Sequence, residues 1–159
     1  MAKHMEPAAF VLAGVILVGD QWTKTWALSH LDGAGRTLRV PGPVDLTLAL
    51  NHSNAFGLTP VVGEITRWGL TAANLAAAGM ILILMMRRTL RPLTVFGLAL
   101  VMAGAIGNAI DRIRLGAVVD FIDATKIGFI WIFNIADATV DAGIALLALS
   151  MFLSRPAKT

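Results

Sequence analysis

The sequence predicts an all-α membrane protein, with four transmembrane helices and a small β-element carried on the connections at one face. Three observations predict it. Charge is scarce: of 159 residues 14% are charged and 57% hydrophobic, with a mean hydropathy of +0.74, whereas soluble domains carry about 25% and 45–50%. Four runs are long and apolar enough to cross a hydrocarbon core of about 30 Å. The basic residues alternate between the ends of those runs in the pattern of a multi-pass protein.

The first span, about 8–28, is apolar without interruption to Gly19 and is then broken by Asp20 and Lys24. Those charges lie between the apolar stretch and the small residues near Ala27, which is unlike a cleavable leader, so span one is expected to be retained. The second, about 68–86, has no charge. The third, about 93–110, carries Asn108, and the fourth, about 129–153, carries Asn134, Asp137 and Asp141. The whole chain, 1–159, reads as one membrane domain. Lys3, Arg87, Arg88, Arg91, Arg155 and Lys158 fall on one side of a four-span arrangement. That predicts both termini in the cytoplasm and the longer connections, about 29–67 and 111–128, outside. The pI near 10 follows from this topology and points to no nucleic-acid partner. Membrane lipids are the expected surroundings, and a monomer is the expected state.

The outer connections have patterns of their own. Val44, Leu46, Leu48 and Leu50 alternate with Asp45, Thr47 and Ala49, a period of two that marks a half-buried strand, and Pro41-Gly42-Pro43 provides the preceding turn. A second strand-like run covers Ala117–Ile122. Trp22, Trp26, Trp68 and Trp131 all fall near the outer boundary and read as an aromatic belt. Ala72, Ala73, Ala76, Ala77, Gly97 and Gly104 read as helix-packing contacts.

An ionisable group at mid-span costs about 2.5–3.5 kcal/mol on insertion scales, so it usually marks function. Asp20, Lys24, Asp137 and Asp141 gather toward the same end of their spans, and Asp120 emerges beside them. From Leu153, Asp137 lies roughly 24 Å along a helix, near the outer edge of the hydrocarbon. Two close carboxylates share a proton; the ionised member then activates water while the protonated one polarises a carbonyl. His4, His30 and His52 have no zinc-ligand spacing, the chain has no cysteine, and no cofactor or metal is expected. A Ser–Lys hydrolase finds no serine near Lys24 beyond Ser29. The alternative class is a small proton- or cation-coupled transporter or channel subunit, and an inert scaffold is a third reading. A relay needs polar groups reaching both faces, yet the inner halves of all four spans are apolar.

Other roles are available to individual residues. Asp20 and Lys24 are spaced to pair on one helix face. Asp111 is placed to pair with Arg112 or Arg114, Asp141 to be a buried partner of a Lys or Arg, and Asp123 to be solvated.

The motifs taken together resemble those of the lipoprotein signal peptidases, also called signal peptidase II. Gly19-Asp20-Gln21-Trp22-Thr23-Lys24 is similar to the family's Asp-x-x-x-Lys segment, and Asn51-His52-Ser53-Asn54-Ala55-Phe56-Gly57 to its Asn-x-Gly-x-Ala-Phe-Gly segment. Gly107-Asn108-Ala109-Ile110-Asp111-Arg112, followed by Val118-Val119-Asp120-Phe121, resembles Gly-Asn-x-x-Asp-Arg…Val-x-Asp-Phe. Phe133-Asn134-Ile135-Ala136-Asp137 resembles Phe-Asn-x-Ala-Asp. The resemblance implies an aspartic endopeptidase of the bacterial inner membrane with catalytic Asp120 and Asp137 near the periplasmic face. It implies a site lined or braced by Asp20, Lys24, Asn51, Asn108, Arg112 and Asn134. The implied substrate is a prolipoprotein cut just before a diacylglyceryl-modified cysteine. The implied fold adds a periplasmic β-cradle and a partly helical outer loop to the four helices. Ser53 stands where the family has glycine, and Asn54 where a small residue is usual.

Overall fold

The computed structural model describes residues 7–31, 37–52, 63–87 and 90–153. Among them, four helices, α1 (Pro7–His30), α2 (Glu64–Arg87), α3 (Pro92–Leu115) and α4 (Ile135–Leu153), are joined by four strands, β1 (Thr37–Leu38), β2 (Asp45–Asn51), β3 (Val118–Asp123) and β4 (Ile132–Phe133). A 3-10 turn, Thr125–Ile127, lies between β3 and β4. α2, α3 and α4 are long and apolar enough to cross a membrane. α1 matches α2 and α3 in length, at 24 residues, and differs in carrying Asp20 and Lys24.

The fourth helix begins at Ile135, later than the hydropathy run that starts at Phe129. Asn134 ends the extended backbone of β4: its side-chain Oδ1 accepts the N–H of Asp137 at 2.9 Å, a cap that starts the helix there. The third helix runs on to Leu115, past the apolar stretch, because Asp111 and Arg112 are buried inside the protein and polarity does not end a helix that has partners. It stops at Gly116, whose left-handed φ of 79° closes the last turn through an N–H to the carbonyl of Arg112. The Arg67 guanidinium, reaching across from α2, donates to the Arg112 and Ile113 carbonyls at 2.8 Å each.

α3 is the hub. It packs on α1, α2 and α4, and 56% of its membrane-length window is buried, against 17% in α2 and 22% in α4. It approaches α4 closely: a Cβ added at Gly104 would lie 2.4 Å from the carbonyl oxygen of Ala136. Small residues let two backbones meet in this way. Ala72, Ala73, Ala76 and Ala77 do not serve that purpose. They are exposed, and Ala78 is the buried alanine of α2, because α2 turns only one narrow stripe toward α3.

The antiparallel sheet has the order β1-β2-β3-β4. Strict alternation in β2 fails: Asp45 is buried and Leu50 is 49% exposed. The register between β2 and β3 shifts between Leu46 and Ala49, and such an irregularity changes which side chains face inward. Leu48, Val119 and Phe121 pack with Ala27 and Leu31 at the end of α1, so the sheet covers one end of the bundle. The other end is closed by Ala9, Ala13, Val95, Leu98 and Ala99, among others. Ser53 and Asn54, and most of the segment expected to be partly helical, lie outside the described residues.

Candidate active site

The site forms where the C-terminal halves of α1 and α3 meet two further elements, the start of α4 and the middle of β3. Asn134 joins them. Its amide donates to Asp120 Oδ1 at 2.6 Å while its oxygen caps Asp137, so one fully buried side chain holds a strand carboxylate and a helix carboxylate in fixed relation. Asn51, at the end of β2, donates to the other oxygen of Asp120 at 3.1 Å. Asn108 donates to Asp137 Oδ1 at 2.7 Å. Asp137 sits in the first turn of α4, where the helix dipole favours negative charge.

Asp120 is 3% exposed. Burial pushes its carboxyl up to about 7, with the charge of Asp137 adding to the effect and the amide donors Asn51 and Asn134 opposing it. Burial wins because desolvation penalises the ionised form more than two neutral donors can repay. The geometry therefore holds a carboxyl that keeps its proton to near neutrality beside a second, amide-bonded carboxyl.

Behind this pair lies a buried ion cluster. Lys24 Nζ contacts Asp20 at 2.9 Å and Asp111 at 3.0 Å, and donates to Asn108 Oδ1 at 3.1 Å. Lys24, Asp20 and Asp111 are each no more than 2% exposed. Both carboxylates also reach beyond the lysine. Asp20 Oδ1 accepts the N–H of Ala136 at the start of α4, and Asp111 Oδ2 accepts the N–H of Val119 on β3. The cluster thus ties α1 and α3 to both elements that bear the carboxylate pair. Among the described residues no buried side-chain nitrogen or oxygen lacks a partner, as a network taken out of water requires.

The sequence-predicted residues Asp20, Lys24, Asn51, Asn108, Asp120, Asn134 and Asp137 are joined in this one network. Arg112 is buried on α3, within electrostatic reach of Asp137, Asp120 and Asp111. Asp111 turns its carboxylate to Lys24, Gln21 and the Val119 N–H, and its charge also acts on Arg112. Gln21 is a member of the network that sequence reasoning does not single out. Its amide contacts Asp20, the Gly107 carbonyl and Asp111 at 3.0–3.2 Å, and its position between Asp20 and Lys24 is the one signal the sequence offers. Asp141 is exposed and has no hydrogen-bond or ion-pair partner among the described residues, contrary to the expected buried pairing. It lies on the side of α4 away from Thr139 and Gly143, which pack inward. Asp123 is held by Thr47 and Thr125 and is only partly exposed.

Comparisons with known proteins agree over nearly the whole chain. The family described as Signal peptidase (SPase) II matches residues 12–153. The lipoprotein signal peptidase of Caulobacter vibrioides is 40% identical over 153 residues, covering 94% of this chain and 89% of its own length. That of Oleidesulfovibrio alaskensis is 36% identical over 153 residues, covering 93% and 98%. A solved bacterial membrane enzyme shares the fold with a TM-score of 0.82 at 24% identity, covering 96% of this chain and 97% of its own.

Proposed function

This chain belongs to the signal peptidase II family of aspartic peptidases, which cleave the signal peptides of prolipoproteins, and from that premise we propose that Asp120 and Asp137 are its catalytic pair. The observation that carries the reading is the bridge through Asn134, which ties the Asp120 carboxyl to the backbone N–H of Asp137 at one end of a bundle whose opposite end is apolar.

The pair holds one proton between its members. The ionised carboxylate removes a proton from water, the water oxygen attacks the scissile carbonyl carbon, and the protonated carboxyl donates to the carbonyl oxygen. The tetrahedral intermediate then collapses: the C–N bond breaks, the proton gained from water passes to the leaving amine, and the proton lent to the carbonyl oxygen returns to the pair as the C=O re-forms. Asn51, Asn108 and Asn134 hold both carboxyls in place through the cycle, and the Lys24 cluster fixes Asn108. Arg112 supplies positive charge to a site that accumulates anionic oxygen.

The substrate is a prolipoprotein bearing a diacylglyceryl-modified cysteine, cut just before that residue. The protein lies in the cytoplasmic membrane as a monomer with both termini inside and the carboxylate pair at the periplasmic face, in keeping with the placement of Lys and Arg. A polar site at one face only suits a substrate that arrives laterally with its lipid still in the bilayer. The test is cleavage of a diacylglyceryl-modified prolipoprotein by the purified protein beside Asp120→Asn and Asp137→Asn, with and without chelator. Cleavage by the wild type alone, insensitive to chelator, is expected. Retained cleavage by either variant would remove that residue from the pair.

A further inference from the structure

The end of the 3-10 turn and the loop that follows it to β4 expose an unusual amount of apolar surface. Ile127 is 64% exposed, Phe129 48%, Ile130 75% and Trp131 46%. These side chains do not hang from an unsupported segment. Gly128, with φ +84°, donates to the Thr125 carbonyl, and Phe129 donates to that of Ala124. The Phe129 ring packs edge-on against Trp131 at 5.2 Å and Phe133 at 6.2 Å. Lys126 fastens the base of the loop to β2 through Asp45 at 2.6 Å and the Val40 carbonyl at 3.0 Å. The result is a braced apolar projection that an aqueous surface would not favour.

Its place in the chain identifies what covers it. Only Ile132, Phe133 and Asn134 separate Trp131 from α4, a helix of membrane length, so the projection is continuous with the surface already given to lipid. Trp22 on α1 and Trp68 on α2 are also exposed toward this end of the bundle, and tryptophan favours the level of the lipid headgroups. We propose that residues 127–131 insert into the lipid leaflet at the dyad's end as an interfacial anchor. Because Asn134 follows three residues later and bonds to both Asp120 and the Asp137 backbone, the anchor sets the height of the catalytic pair relative to the bilayer. The occupant is membrane lipid; a second copy of the chain and the acyl groups of the substrate are the competing occupants.

The functional part rests on the peptidase reading, whereas the depth measurement does not, so the two fail separately. The chain has no cysteine, and Ile130→Cys therefore provides a unique nitroxide site in the full-length protein, reconstituted in phosphatidylethanolamine–phosphatidylglycerol vesicles. Met80→Cys, at an exposed position about two-thirds of the way along α2, provides the lipid reference. The Ile130 label is expected to collide with oxygen in preference to a water-soluble nickel chelate, as the Met80 label does. Preferential collision with the chelate would overturn the proposal, and exclusion of both would replace lipid with a protein neighbour. In the functional arm, Phe129→Ser/Ile130→Asn is expected to lower cleavage of vesicle-embedded lipidated substrate about tenfold while leaving micellar cleavage within about twofold. Equal loss in both settings would assign the loop to the substrate's acyl groups, and no loss in either would refute control of the dyad's height.

Discussion

Gly104→Ala tests whether the α3–α4 approach positions the dyad. The added Cβ would lie 2.4 Å from the Ala136 carbonyl oxygen and 2.6 Å from Val140 Cγ2. An ordinary contact of about 3.5 Å requires α4 to retreat by about 1 Å at that level. Ala136 immediately precedes Asp137, so the same shift stretches the 2.7 Å Asn108–Asp137 bond beyond hydrogen-bonding range. Overpacking of this kind costs about 1–3 kcal/mol of stability, and a 1 Å misplacement of a reacting group costs about a hundredfold in rate. Gly143→Ala is the matched control: its Cβ meets the Gly97 carbonyl oxygen at 2.7 Å, a similar clash almost two turns further along α4. Thermal unfolding in detergent, read beside kcat/KM on lipidated prolipoprotein, separates the effects. Both variants should lose comparable stability, and only Gly104→Ala should lose about two orders of magnitude in activity while still folded. Equal activity losses at equal stability, or an unaffected Gly104→Ala, would refute the positioning argument.

Lys24→Met leaves Asp20 and Asp111 buried without their common counter-charge and should destabilise the protein by about 3–5 kcal/mol, measured by unfolding; a change below about 1 kcal/mol would mean that the cluster is hydrated. The raised carboxyl of Asp120, about 7 against an ordinary 3.8, has two consequences. Between those values the folded state holds a proton that the unfolded chain has released, so stability falls as pH rises from about 4 to about 7, by at most about 4 kcal/mol. Asp120→Asn should flatten that slope. Over the same titration kcat/KM should decline above about pH 7 as the pair loses its shared proton, and a wild-type profile rising through pH 8 would contradict the assignment. Asp141→Asn should leave cleavage within about threefold, since Asp141 is exposed and outside the network; a loss equal to that of Asp137→Asn would move the pair.

Much of this protein is legible in its sequence because membrane insertion is a local property. Some twenty apolar residues suffice to identify a span wherever they occur, and the runs behind α2, α3 and α4 satisfy that requirement before any contact is made. The strand at residues 45–51 and the gathering of Asp20, Lys24, Asp120 and Asp137 at one end follow from period and depth in the same way. Tertiary structure decided the partners. Lys24 lies one turn from Asp20, yet its contact with Asp111 comes only from packing α1 on α3. Asp120 and Asp137 share Asn134 because β3 and β4 pair where α4 begins. Asp111 met Lys24 of α1, the α2 alanines turned outward, and Gly104 came close against Ala136 of α4. Hydropathy records how deep a residue lies, whereas its azimuth around a helix and the element opposite are set by packing; a carboxylate's chemistry depends on those last two.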